Sequence, residues 1–395
     1  MDAMNDTLAP ERVERPLPAA PDDAAPTLLE RFVERAAEHH LPCMGPRFVR
    51  IVVTGEPVRA LTLEMAETLT AVADDCPPDA TVTFAPETLR AVLLAPGLFD
   101  ARLPEFASGI RIEGHALTAQ YLLQLIKRPD PRLLMRFTHA RALAPRALER
   151  VPEFDTADAA RVIESLVESV PLRLRGILRW PALEWSLDEL IARHGRMPLR
   201  HDSVAGRAET LGDFLGSWRC ATAGADEPYS AGCPLSPQLA ALFPFPIFPA
   251  GAYHPVAQLW AGVRREHTLV TPLHCDVAAS FLAQIHGRKK VWLYAPWQRE
   301  LLYPIDGFNT YQPCCVDAAQ PDFKRFPNFA QARPIEVMIE PGDLLVIPTG
   351  WYHCVWALDD VISVSRFMDD AWAVARHPCH RLGEASPHGY PRDEG

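Results

Sequence analysis

His274 and Asp276 stand two residues apart in TPLHCDVAASFLAQIHG. On an extended strand, residues i and i+2 point to the same face, so an imidazole nitrogen and a carboxylate oxygen can hold one side of a metal ion. The third donor has to come from another strand. PGDLLVIPTGWYHCVWAL supplies His353, after a tight turn at Pro341–Gly342. Two histidines and one carboxylate form the facial donor set of non-haem iron(II) centres, which leaves three coordination positions open. Those positions suit a bidentate 2-oxo acid and dioxygen. A His-x-Asp pair in a chain with 14 histidines is a weak signal alone. Its weight comes from the elements around it.

Those elements are short apolar runs. AQLWAGV, FLAQIHG, KKVWLYA, EVMIE, DLLVIP, YHCVWAL and VISVSRF follow one another from Ala257 onward. Turn signals at Gly287, Pro341–Gly342, Thr349–Gly350 and Asp359–Asp360 separate them, a pattern that predicts a barrel or sandwich. Upstream, SLDELIARHG reads as a helix opened by a Ser186/Glu189 capping box and closed at Gly195. Residues 155–169 read as a helix capped by Asp155 or Thr156, PLRLRGIL as a strand, and 220–255 as loops. Nearer the N-terminus, LLERFVERAAEH, LTLEMAETLTAVA and PETLRAVLL have helical spacing, whereas RFVRIVV and TVTF read as strands. FASGIRIEGHALTAQYLLQLI gives a turn, a strand, a Gly break and a helix. This organisation predicts a disordered lead over 1–25, an α+β domain over 26–128, a linker over 129–154, a main domain over 155–368 and a loosely ordered tail over 369–395.

The formal net charge of −11 opposes a non-specific nucleic-acid or anionic-membrane partner. Nine scattered cysteines with no Cys-x-x-Cys pair predict reduced thiols in a cytoplasmic protein, not a disulfide framework or zinc ribbon. No apolar run of about 18 residues or export signal is visible, so no membrane span is expected. Arginine greatly outnumbers lysine, and the lysines are Lys127, Lys289, Lys290 and Lys324. Three lesser candidates have plainer readings: His377, Cys379 and His380 as a solvated loop, Trp351 and Tyr352 as barrel-rim packing, and His286 as a strand-end histidine.

LRGILRWPALEWSLDEL, TLGDFL, QLWAG, TPLHCD, FLAQIHGRKKVWLYAP, LLYP, DFKRFPNF, PGDLLVIPTGWYHCV and VISVSRF occur in that order from about 171 to 367. Together they resemble the cupin-like JmjC hydroxylases, the group that includes the asparaginyl hydroxylase acting on hypoxia-inducible factor. The resemblance implies an all-β-core double-stranded β-helix (jelly-roll/cupin) with flanking helices, following the α+β N-terminal domain. It implies Fe(II) on His274, Asp276 and His353, with 2-oxoglutarate and dioxygen as cosubstrates. The family's lysine after the Gly of GRKK falls on Lys289 by motif spacing. Strand alternation does not choose between Lys289 and Lys290, because both faces are apolar. Thr271 matches a hydroxyl contact to the same carboxylate, and Tyr229 resembles an upstream tyrosine contact. Ser280 and Ser365 stand where the family has asparagines near the cosubstrate or substrate pocket.

DATVTFAPETLRAVLL and FASGIRIEGHALTAQYLLQL resemble the sterol-carrier-protein-type lipid-binding fold, with His115 where that family usually has an acidic residue. That resemblance implies an apolar ligand or a docking role for residues 26–128. A peptide or protein side chain is the first expectation for the substrate. A small molecule or lipid presented by the N-terminal domain is the second, and a non-catalytic cupin-like metal-binding module is the third. The Pro-rich tail lacks the family hydroxylase's dimerising helices, so that dimer is not expected.

Overall fold

The computed structural model describes residues 27–40, 47–55, 57–73, 76–94, 108–126, 131–203, 206–218, 229–263, 269–305 and 311–369. The expected lead over 1–25, and the tail after Asp369 with His377, Cys379 and His380, lie outside the described residues. The chain divides into two compact units, Met1–Asp130 with Ile305–Asn309, and Pro131–Pro304 with Thr310–Gly395.

In the first unit, helix Leu28–His39 opens with a capping box between Thr27 and Glu30. Strands β1 (Arg47–Val53), β2 (Arg59–Met65), β3 (Leu69–Val72), β4 (Ala80–Phe84) and β5 (Ile110–Gly114) form one sheet in the order β3-β2-β1-β4-β5. β4 runs parallel to β1. Helices Pro86–Leu94 and Ala116–Leu125 complete the unit, the second N-capped by His115. LTLEMAETLTAVA, expected as a helix, is instead the β2–β3 hairpin. Leu63 and Met65 are fully buried at a spacing of two, and this period decides the strand. Helix and strand periodicities overlap in so short an apolar run.

The second unit begins with helix Pro131–Leu143, where a linker over 129–154 was expected. Ala144 and Val151 beyond it belong to a buried core, so most of this stretch is part of the domain. Helix Ala159–Val167 is capped by Asp158 and not by Asp155 or Thr156, because the Asp158 carboxylate reaches the amides of Ala160 and Arg161. Helix Leu187–His194 has the expected Ser186/Glu189 box and ends at Gly195.

The strands are β6 (Glu153–Phe154), β7 (Leu172–Leu174), β8 (Pro198–Ser203), β9 (Gly206–Thr210), β10 (Tyr229–Pro234), β11 (Gln258–Gly262), β12 (Leu269–Asp276), β13 (Ala279–His286), β14 (Lys289–Tyr294), β15 (Tyr311–Pro313), β16 (Ile335–Ile339), β17 (Leu344–Ile347), β18 (Tyr352–Ala357) and β19 (Val361–Met368). β10 thus lies within the stretch expected as loops. Two large sheets form, β10-β11-β19-β13-β17-β7-β6 and β15-β12-β18-β14-β16, and β8 pairs with β9 alone. From β11 to β14, and again from β16 to β19, successive strands alternate between the two large sheets. That alternation is the winding of a double-stranded β-helix.

Each sheet has a distinct inner face. Leu282, Leu345 and Ile347 of the larger sheet meet Val291, Leu293, Val337 and Val355 of the smaller in one core. On the outer face of the larger sheet, Phe281, Ala283, Val346 and Val364 pack with Val162, Leu166 and Phe214 in a second core. Asp343 joins the framework. Its carboxylate accepts from Arg173 Nε and Nη2 at 3.0 and 2.7 Å, from Gly176 N at 2.9 Å and from Glu340 N at 2.9 Å. It is 4% exposed. Asp343→Ala would leave Arg173 only its 3.0 Å pair with Glu153 and would remove the acceptor of the Gly176 and Glu340 amides, so we expect a loss of about 1–3 kcal/mol in urea unfolding. A loss below about 1 kcal/mol would mean that water replaces the carboxylate there.

Candidate metal centre

β12 and β18 are antiparallel neighbours, and His274 lies directly opposite His353. Their ring centroids are 4.3 Å apart. Asp276 Oδ1 lies 3.7 Å from His274 Nε2, and Asp276 Oδ2 lies 3.6 Å from His353 Nε2. One ligand atom from each residue falls within 4.8 Å of the other two. Cis ligands at about 2.1 Å from one ion stand roughly 3 Å apart, so the three groups nearly meet that requirement.

Both tautomers are fixed by the main chain. His274 Nδ1 bonds to Pro272 O at 2.8 Å, and His353 Nδ1 bonds to Trp351 O at 3.1 Å. A carbonyl only accepts, so each Nδ1 carries a proton and each Nε2 is the ring nitrogen left to face Asp276. Burial holds His353 well below the usual imidazole range, with His274 beside it adding to the effect. Burial pushes Asp276 up to about 6 against the opposing pull of His274. Among the described residues, no arginine or lysine pairs with Asp276. A buried carboxylate between two imidazoles held by their Nδ1 hydrogen bonds is a donor set that a divalent cation satisfies.

The cavity over these ligands is lined by Thr271, Ser280, Lys289 and Ser365 together with the three ligands. Thr271 reaches it through an irregularity. Thr271 pairs with Val355 and His274 with His353, so two residues of β12, Pro272 and Leu273, oppose one of β18, Cys354. Pro272 has no amide to give the ladder at this slip. In a regular strand Thr271 and His274 would face opposite ways. The bulge brings both inward.

The structure separates Lys289 from Lys290. Lys289 shares the inner face with Val291 and Leu293 and is 1% exposed. Its Nζ donates to Tyr229 Oη at 3.3 Å and to Trp260 O at 3.2 Å. Both acceptors are neutral, and burial pushes the ammonium down to about 7. Lys290 lies on the outer face, over Trp292 and Trp356 at 5.2 and 4.7 Å from the ring centroids. Tyr229 is placed beside Lys289, and its hydroxyl also hydrogen-bonds Thr271. Ser365 Oγ accepts from Trp260 Nε1 at 2.8 Å.

Trp260, Leu282, Ile347, Val355 and Phe367 complete the walls and were not singled out from sequence. Three of them were within reach of alternation: Leu282 follows Ser280 by two, Val355 follows His353, and Phe367 follows Ser365. Trp351 and Tyr352 are structural. Trp351 Nε1 bonds to Ser169, and Tyr352 Oη donates to Gln312 Oε1 at 2.6 Å. His274→Ala or Asp276→Ala should abolish stoichiometric iron(II) binding by calorimetry and elemental analysis. Retention of one tightly bound ion in either variant would place the metal elsewhere.

Residues 226–371 match the cupin-like domain family. Lysine-specific demethylase 8 of Xenopus tropicalis is 44% identical over 96 residues, covering 24% of this chain and 22% of that protein. JmjC domain-containing protein D of Dictyostelium discoideum is 36% identical over 96 residues, covering 24% and 21%. tRNA wybutosine-synthesizing protein 5 of Danio rerio is 37% identical over 117 residues, covering 29% and 32%. The matched region therefore spans between a fifth and a third of each of these relatives. No described helix is long and apolar enough to cross a membrane. His274, Asp276 and His353 all lie within the stretch that matches the cupin-like domain family.

Proposed function

We propose that the second unit is an Fe(II)- and 2-oxoglutarate-dependent oxygenase that hydroxylates an amino-acid side chain of a peptide or protein. One observation carries this reading: a buried two-histidine, one-carboxylate set and a buried lysine with no anionic partner among the described residues line the same cavity. His353 pairs with Leu293 of β14, whereas Lys289 pairs with Ala357 of β18. The two levels are four residues apart along the sheet, or roughly 13 Å. The lysine's four-carbon stem and a five-carbon dicarboxylate together suit that span.

Bound iron(II) would supply activation of dioxygen coupled to oxidation of the 2-oxo acid. The chain's own residues do the positioning. His274, Asp276 and His353 would hold the ion with three positions open. Lys289 would take the distal carboxylate, with Tyr229 and Thr271 supplying hydroxyls beside it. Leu282, Ile347, Val355 and Phe367 keep the cavity poor in water. Ser280 and Ser365, smaller than the family's asparagines, leave room on the larger sheet's side of the cavity.

A peptide or protein substrate agrees with the names of two relatives, a lysine-specific demethylase and an HSPB1-associated protein. Another relative is named for tRNA wybutosine synthesis. The net charge of −11 favours the protein reading over nucleic acid. Among the described residues, all those that line the cavity belong to the second unit. We assign the first unit to substrate choice, as a docking face or, on its sterol-carrier resemblance, an apolar-ligand domain. A piece beginning at Pro131 should bind iron(II) and 2-oxoglutarate like the full chain while losing activity on the true substrate. Full substrate activity in that piece would remove the first unit from recognition.

Lys289→Ala should weaken 2-oxoglutarate by about ten- to a hundredfold, the worth of a buried charge-assisted hydrogen bond, whereas Lys290→Ala should have little effect. The free protein holds Lys289 at about 7, and the bound dicarboxylate needs it protonated. Binding therefore takes up a proton above that pH. With iron(II) saturating, the affinity should be highest between about pH 6 and 7 and fall by up to about tenfold per unit above pH 7, a fall that Lys289→Ala removes. A flat profile between pH 7 and 9 in the unaltered protein would refute the assignment.

A further inference from the structure

Gln284 is fully buried on the inner face of β13, at the same level as Ser363 of β19 and Trp260 of β11. It forms no part of the cavity lining. Its side chain is nevertheless fully engaged. Nε2 donates to His286 O at 2.7 Å and to Gly287 O at 2.9 Å, and Oε1 accepts from Ser363 Oγ at 2.6 Å. The serine hydroxyl fixes the amide's orientation, so both N–H groups face the two carbonyls.

Those carbonyls belong to the turn that carries the chain from β13 in one sheet to β14 in the other, immediately before Lys289. The turn departs from regular pairing. Gln284 pairs with Ser363, but His286 pairs with Ile362, so the register slips between them. Gly287 has φ +65°, and a Cβ there would run into the Asp360 carbonyl oxygen. Where the turn ends decides which of Lys289 and Lys290 enters the barrel, since a shift of one residue exchanges the two faces of a strand. On the far side, Arg288 N bonds to Asp359 Oδ2 at 3.0 Å and Leu358 N bonds to Arg288 O at 2.9 Å.

We infer that Gln284, held by Ser363, is a positioning residue for the cosubstrate lysine: it clamps the β13–β14 turn and thereby sets Lys289 inward. The inference rests on the oxygenase reading for its consequence but not for its geometry. Only an amide fits. A carboxylate would repel both carbonyls, and asparagine is one methylene short of them.

The test uses the full chain and two keto acids, 2-oxoglutarate and 2-oxobutyrate, which lacks the distal carboxylate. Gln284→Met should weaken 2-oxoglutarate by roughly tenfold or more, as loss of the Lys289 contact would, while 2-oxobutyrate changes little. Iron(II) binding should be unaltered. In a Lys289→Ala background, Gln284→Met should have no further effect on 2-oxoglutarate, because the two residues act through one contact. Amine labelling read by mass spectrometry follows the lysine directly. Lys289 should be protected in the unaltered protein and should label like Lys290 in Gln284→Met. Should Gln284→Met fail to fold, Ser363→Ala takes its place, with the same selective loss and a smaller size. Equal losses for both keto acids, additive effects in the double variant, or continued protection of Lys289 would overturn the inference. If the unaltered protein shows no preference for 2-oxoglutarate, the oxygenase reading fails, and the labelling result still decides the role of Gln284.

Discussion

The site depends on the register slip in β12 between Thr271 and His274. Because Pro272 and Leu273 together oppose a single residue of β18, the strand changes phase there. Thr271, His274 and Asp276 then share the inner face, which no regular strand permits for positions three and five apart. The same bulge turns the Pro272 carbonyl onto His274 Nδ1. The backbone feature that re-aims the strand also fixes the imidazole's tautomer. A proline suits this position on both counts, since it has no amide to leave unpaired and still offers its carbonyl.

Much of this was legible in the sequence, and the limit has a physical form. The seven apolar runs from Ala257 to Phe367 read as strands, and each is one. His274 and Asp276 obey a period of two, so their shared face followed from spacing alone. Thr271 did not, and only motif resemblance placed it. The choice between Lys289 and Lys290 was similarly closed to alternation. Val291 and Leu293 fill the inner face, while Trp292 and Tyr294 cover the outer one, so both rows are apolar. The β2–β3 hairpin failed for a related reason, as Leu63 and Met65 fit a helical window as well as a strand. Periodicity reports the regular part of a sheet and says nothing where the register slips.

The electrostatics of the cavity follow from that framework. Burial disfavours the charged form of both Asp276 and Lys289, raising one and lowering the other. Placed side by side they would neutralise each other, and a closed ion pair would have little need of a further ligand. His353 and Lys289 are offset by four residues along β14 and β18, and Asp276 lies beyond His274 on the far side, so the two charges stand at different levels of the barrel. Neither is left beside an opposite side-chain charge that would close it off: imidazoles surround the carboxylate, and a phenol and a main-chain carbonyl surround the ammonium. A cation at one end and an anion at the other restore the balance, and a chelating dicarboxylate joins the two. The apolar walls strengthen both attractions by excluding water between them.

The two ends of the cavity are also set by the same kind of device. At the metal end the irregularity lies in the smaller sheet, at Pro272. At the lysine end it lies in the larger sheet, between Gln284 and His286. Between them the pairing of β13 with β19 and of β14 with β18 is regular, and the residues there are walls: Leu282, Val291 and Val355. Regular pairing fixes the length of the cavity, because each residue adds a set rise. The irregular positions fix which side chains enter it. A substitution in the wall should therefore alter how tightly the cavity packs, whereas one at either irregularity changes which functional group the cavity contains. This division explains why Gln284, which touches nothing inside the cavity, belongs to the architecture of the site more closely than Leu282, which lines it.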